Sequence, residues 1–185
     1  VMPAADNAPR YVVAKSTAAT LDFAAVMAQT SRIFRRFEAQ RPGFADSCLR
    51  SAIRAWDWAR ANPAVAYNQG TLKNPEVVTG TYGDGTFTDE RIWAAFELTL
   101  ATRRDSFWIA AFPTKVFSGA KSIPGWNQVA ALGLMSAFKS MDSLAGVVDT
   151  AGMQASLRSL GNEGKTRRTS TPYLVPVRSG DLYWG

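Results

Sequence analysis

Residues 16–37 read STAATLDFAAVMAQTSRIFRRF, and this stretch decides the fold class. Ser16 or Thr17 can cap a helix, because a hydroxyl there accepts from an amide that has no partner within the first turn. Leu21, Ala24, Ala25, Ala28, Ile33 and Phe34 then recur at spacings that place them near one another on a helical face. Arg32, Arg35 and Arg36 gather at the far end, where cations suit the negative end of the helix dipole. Arg41-Pro42-Gly43 breaks the run.

Working outward, a second helix is predicted from Phe44 to about Asn62. Phe44, Cys48, Ala52, Trp56 and Ala59 follow one another at three or four residues, and Asn62-Pro63 stops the helix. Two helices joined by so short a link make an antiparallel hairpin. Residues 63–87 are polar and rich in Gly, Thr and Asn, which predicts a long connection of the kind that carries function. Thr88 is expected to cap a third helix ending near Thr102, with Ile92, Trp93, Phe96 and Leu100 as its apolar face. A fourth is expected from just after Pro124 to about Lys139, and a fifth over roughly Val147 to Leu160. Val1–Lys15 and the tail from Thr171 to Gly185 read as extended. The fold class is therefore all-α, built from hairpins that need neighbours to bury their outer faces. The close at Tyr183-Trp184-Gly185, large aromatics with no polar cap, is what a chain truncated from a bigger fold is expected to show.

Composition narrows the chemistry. The 185 residues are 46% hydrophobic and 19% charged, as in a globular protein. No apolar run approaches the roughly 18 residues of a membrane span. There is no histidine and a single cysteine, Cys48, expected on a buried helix face. A Ser-His-Asp triad, a Cys-His pair and the usual zinc sites all need imidazole, so carboxylates, tyrosines, arginines and oxygen-ligated metals remain. The net charge of +6 invites a basic helical module that binds nucleic acid or an acidic partner. The positive charge is dispersed, however, with Lys165, Arg167 and Arg168 forming a short loop cluster and no stripe interleaved with stacking aromatics.

Chemistry concentrates in Thr79-Gly80-Thr81-Tyr82-Gly83-Asp84-Gly85, followed by Asp89-Glu90. Its three glycines permit positive φ and close backbone approach. Adjacent carboxylates beside exposed carbonyls suit a hard cation such as calcium, which takes about six to eight oxygens. The simpler reading is that Asp89 and Glu90 stabilise the start of a helix. Trp56, Trp58 and Trp93 sit at helical spacing and read as core, whereas Tyr82, Trp126, Tyr173, Tyr183 and Trp184 fall in loops or at element ends, where rings can stack on sugars. Among fifteen acids none stands out as isolated in an apolar surround, and Asp105, Asp142 and Asp149 read as loop or cap residues. No catalytic carboxylate pair is evident.

These blocks, in this order, resemble family 9 of the glycoside hydrolases, the cellulase family with an (α/α)6 six-hairpin barrel. Residues 16–29 resemble one of its helices. Phe44-Ala45, Cys48-Leu49, Ala55-Trp56, Ala59 and Asn62-Pro63 resemble the next, and Thr79–Asp84 with Asp89-Glu90 and Trp93–Leu98 resemble its most recognisable middle motif. Tyr173, Val175-Pro176 and Tyr183-Trp184-Gly185 resemble the segment leading into a further barrel helix, while Ser106–Gly164 matches more loosely, mainly through Trp126 and Leu132-Gly133. The resemblance implies that residues 1–185 are part of an (α/α)6 catalytic domain of a secreted or periplasmic, inverting β-1,4-glucan hydrolase acting on polysaccharides such as cellulose. In that mechanism one carboxylate activates water and another protonates the leaving oxygen, roughly 6.5–9.5 Å apart. The family's base lies in an upstream Asp-Ala-Gly-Asp motif and its acid far downstream; neither segment occurs in this sequence, so the chain alone is expected to be inactive and to need the remainder of the domain. The resemblance further implies a structural calcium held by Asp89, Glu90 and Asn127, and cleft-lining rings at Tyr82 and Trp184.

Overall fold

The computed structural model describes residues 11–72, 83–114, 116–117 and 124–176, together with positions 5, 7, 9, 76 and 80. Among them six α-helices are found: α1 (Thr17–Phe34), α2 (Phe44–Ala61), α3 (Thr88–Thr102), α4 (Asp105–Ala111), α5 (Ala130–Phe138) and α6 (Thr150–Thr169).

The first hairpin forms as its sequence predicts. Ser16 Oγ accepts from the Ala19 amide at 3.3 Å and caps α1. Gly43 sits at φ 71°, a left-handed turn that suits glycine, and its amide donates to Glu38 Oε1 at 2.7 Å. Thr17 then ties the open end of the hairpin: its hydroxyl donates to the Asn62 carbonyl at 2.6 Å and accepts from the Val65 amide at 2.8 Å. Between the two helices the buried residues are small, with Ala24, Ala25, Ala28, Ala45, Ala52 and Ala59 all at 1% exposure or less, so the backbones approach closely around Leu21 and Trp56. Cys48 is buried on this face, as its spacing predicts.

The third helix is the hub. It packs against α1 on one flank, and α4 and α5 also pack on it. From Ile92 to Leu100 only Trp93 is not fully buried, which explains why its apolar pattern is nearly continuous. One core joins α1, α2, α3 and α4 through Leu21, Trp56, Leu98 and Phe107. The other joins α3 to α6 through Phe96, Trp108, Phe112, Phe117, Leu134 and Met153. In the second, the rings of Trp108 and Phe112 lie 4.3 Å apart, and those of Phe96 and Trp108 5.1 Å.

Four local expectations change. Phe87, not Thr88, occupies the cap position of α3; Thr88 is already helical. The helix α4 was not predicted, because seven residues hold too few turns for a period to show. Before α5 the chain makes a tight turn in which Gly125 and Gln128 exchange backbone bonds of 3.0 and 3.2 Å, so the helix begins at Ala130 rather than after Pro124. Finally, α6 runs on to Thr169, so Lys165, Arg167 and Arg168 belong to a helix and not to a loop. Arg167 pairs with Glu163 four residues earlier, and its cations sit at the favourable end of the dipole.

Candidate functional site: an acidic cavity between the first and third helices

A cavity of about 350 Å³ opens where the start of α1 faces the start of α3, and Ser16, Asp22, Tyr67, Asp84, Glu90 and Trp126 are among its lining residues. Each acid arrives by a different local device. Asp84 closes a turn ahead of α3: its Oδ1 accepts from the Thr86 amide at 2.8 Å and the Thr86 hydroxyl at 3.0 Å. Asp89 lies in the first turn of α3 and its Oδ2 accepts from the buried Val129 amide at 2.8 Å, which fixes the approach to α5. Glu90, next along, is 3% exposed. Asp22 projects from α1 between the fully buried Leu21 and Ala24.

Asp84, Asp89 and Glu90 each bring one carboxylate oxygen within 4.8 Å of the others. Asp22 Oδ1, Asp84 Oδ2 and Glu90 Oε2 are buried and lack a hydrogen-bond partner. Burial, then the neighbouring Asp89 and Asp84 charges, push the Asp22 carboxyl up to about 6. Burial also pushes Glu90 up to about 8, assisted by Asp89, Asp84 and Asp22 and opposed by its own backbone amide. Arg91 is the basic neighbour that interacts with Glu90. Like charges crowded around orphaned oxygens are costly without a counter-charge. The donor set, all oxygen and largely carboxylate, fits a hard divalent cation and not a soft one.

Of the residues singled out from the sequence, Asp89 and Glu90 are brought together, with Asp84 from the same motif beside them. Asn127 lies exposed in the 125–128 turn, next to Trp126, which is 43% exposed and lines the cavity. Tyr82 and Trp184 lie outside the described residues. Sequence reasoning passed over two acids. Asp22 is the single acid in residues 16–37, and Glu97 the single acid in residues 92–100. Each is the lone acid of its apolar helical run in sequence, but in the structure neither is isolated: Asp22 faces Asp84 and Asp89, and Glu97 meets Arg32 and Gln29. Glu97 is fully buried, is paired with Arg32 through Oε2, and accepts from Gln29 Nε2 at 3.1 Å through Oε1. Gln29 Nε2 also reaches Ser136 Oγ at 3.2 Å, so a polar bridge crosses α1, α3 and α5. A lone charge inside an alanine-rich or leucine-rich helical run was the available signal.

Comparison with known proteins agrees with this architecture. The family model described as Glycosyl hydrolase family 9 matches residues 2–183. The xyloglucan-specific endo-beta-1,4-glucanase of Bacteroides ovatus is 41% identical over 139 residues, covering 74% of this chain and 23% of that protein. Endoglucanase D of Acetivibrio thermocellus is 29% identical over 202 residues, covering 100% of this chain and 29% of that protein. The structure of AaCel9A in complex with cellobiose-like isofagomine superposes with a TM-score of 0.78 at 26% identity, covering 97% of this chain and 32% of that one. The chain thus spans roughly a quarter of these two curated relatives.

Proposed function

The chain belongs to glycosyl hydrolase family 9 and carries part of its (α/α)6 barrel, and on that premise we propose that it is the central segment of the catalytic domain of an inverting β-1,4-glucan hydrolase. In this reading residues 1–185 supply barrel helices and one wall of the cleft. The base and the acid come from the remainder of the domain. The substrate is a β-glucan polysaccharide such as cellulose, which places the parent enzyme outside the cell or in the periplasm. The observation that carries the reading is the family match over residues 2–183, with Asp84 and Glu90 of its middle motif lining the acidic cavity.

Within that segment Asp89 and Glu90 hold a structural calcium, joined by Asp84 and, from the 125–128 turn, by Asn127. A bound divalent cation supplies positive charge that cancels the crowding of carboxylates. The protein's own part is positional. Asp89 already holds the amide of Val129, so fixing its carboxylate also fixes the turn that presents Trp126. Asp84 fixes the turn ahead of α3. Trp126 on the cavity wall, with Tyr82 and Trp184, provides rings on which pyranose faces stack. Neutralising the acids therefore sets the shape of the cleft wall without entering the bond-breaking step.

Two measurements test the proposal. Millimolar calcium should raise the melting temperature of the protein, since a ligand that binds only the folded state stabilises it; an unchanged melting temperature would remove the calcium assignment. Reducing-end assays on carboxymethylcellulose should show no turnover by the 185-residue chain. Hydrolysis by that chain would overturn the claim that the base and acid lie elsewhere.

A further inference from the structure

We propose that Asp22, on α1, is a further oxygen donor to the cation held by Asp84, Asp89 and Glu90, reaching it through bound water across the cavity and so clamping α1 to the start of α3. The inference rests on the cation reading above and adds a residue from a different helix.

Three observations converge on Asp22. Its Oδ1 is buried and has no hydrogen-bond partner, on a helix whose nearby Leu21 and Ala25 are fully buried. A carboxylate in such a place needs a donor or a positive charge. Its electrostatic neighbours, however, are the like-charged Asp89 and Asp84. It also shares the wall of one cavity with Asp84 and Glu90. Against this crowd of four carboxyl groups, Arg91 is a basic neighbour of Glu90. A cation among Asp84, Asp89 and Glu90 would satisfy the orphaned oxygens of Asp84 and Glu90 and offset the charge facing Asp22.

The geometry also sets the manner of contact. Asp84, Asp89 and Glu90 close to within 4.8 Å of one another, and Asp22 is not part of that tight set. A cation seated among the three leaves Asp22 one step away. The cavity, at about 350 Å³, has room for water between them, since a water occupies about 30 Å³ of liquid volume. Calcium retains waters readily when protein ligands do not fill its six to eight positions. Asp22 Oδ1 accepts from such a water and orients it, as outer carboxylates do for metal ligands elsewhere.

The test is calcium binding by titration calorimetry, paired with melting curves in EDTA, on the wild type, Asp22→Asn and Asp105→Asn. Asp22→Asn keeps the shape and removes the charge, and Asp105 starts a different, exposed helix turn. The expected result is about tenfold weaker calcium binding in Asp22→Asn, the low end for loss of an outer-shell partner. Its melting temperature in EDTA should equal or exceed that of the wild type, because one like charge is gone. Asp105→Asn should bind as the wild type does. Equal affinity of the wild type and Asp22→Asn overturns the role of Asp22 and leaves the three-carboxylate site standing. Absence of calcium binding by the wild type overturns both. Equal weakening in Asp105→Asn shows a general charge effect and also overturns the proposal.

Discussion

Replacing Gly133 by alanine tests the packing of α5 on α3 with a single methyl group. A Cβ built at Gly133 would lie 2.7 Å from Phe96 Cδ2 and 2.9 Å from Trp93 Cα. The first neighbour is a ring that could turn, but it is wedged at 5.1 Å from Trp108 and 5.6 Å from Phe117. The second is backbone of α3, so relief requires the two helices to separate. Overpacking of this kind costs about 1–3 kcal/mol, and the upper half applies where backbone must move. Alanine in a helix gains about 1 kcal/mol over glycine. The net loss is therefore roughly 1–2 kcal/mol, or about 2–8 °C in melting temperature for a chain of this size. Gly161 provides the matched control. It lies exposed in α6 with nothing within 4 Å of the added Cβ, so Gly161→Ala should gain about 1 kcal/mol from propensity alone. Thermal melts of both variants followed by circular dichroism at 222 nm decide the matter. If Gly133→Ala stabilised the protein as Gly161→Ala does, the close α3–α5 contact would be refuted.

Two further outcomes are expected. Asp22 and Glu90 hold their protons more tightly when folded than in the unfolded chain, at about 6 and about 8. With EDTA present, stability should then fall as pH rises from about 4 through 8, because in that window the folded state binds more protons. Urea midpoints at pH 5 and pH 8.5 measure the slope, and a midpoint that rises with pH in EDTA refutes it. Separately, Glu97→Ala leaves Arg32 and Gln29 facing a gap across α1 and α3. Breaking a buried pair costs about 3–5 kcal/mol, and the low end applies because Arg32 is 26% exposed. Urea denaturation reads that loss, and a cost below about 1 kcal/mol would show that the bridge contributes little.

Much of the fold was legible because it is written locally. Residues 16–37 show their period, cap and terminal arginines without reference to any other segment, and the helix forms within a few residues of the expected ends. The same holds for Phe44–Ala61 and for Thr88–Thr102. Where the signal was short or weak the reading failed. Asp105–Ala111 spans two turns, and the second half of α6 has glycines at 161 and 164 and few apolar residues, yet it remains helical beside Glu163 and Arg167.

The acidic site divides along the same line. The sequence by itself determined that Asp89 and Glu90 stand at a helix start behind a glycine-rich loop, because both features are set by neighbours in the chain. Only the packing of α1 on α3 decided that Asp22 shares a cavity with Glu90 and Asp84, and that Glu97 meets Arg32 and Gln29. An acid's place in the sequence fixes which side of its own helix it occupies. Whether that side meets water, a cation or another carboxylate depends on which helix lies opposite, and burial turns that meeting into a large electrostatic effect.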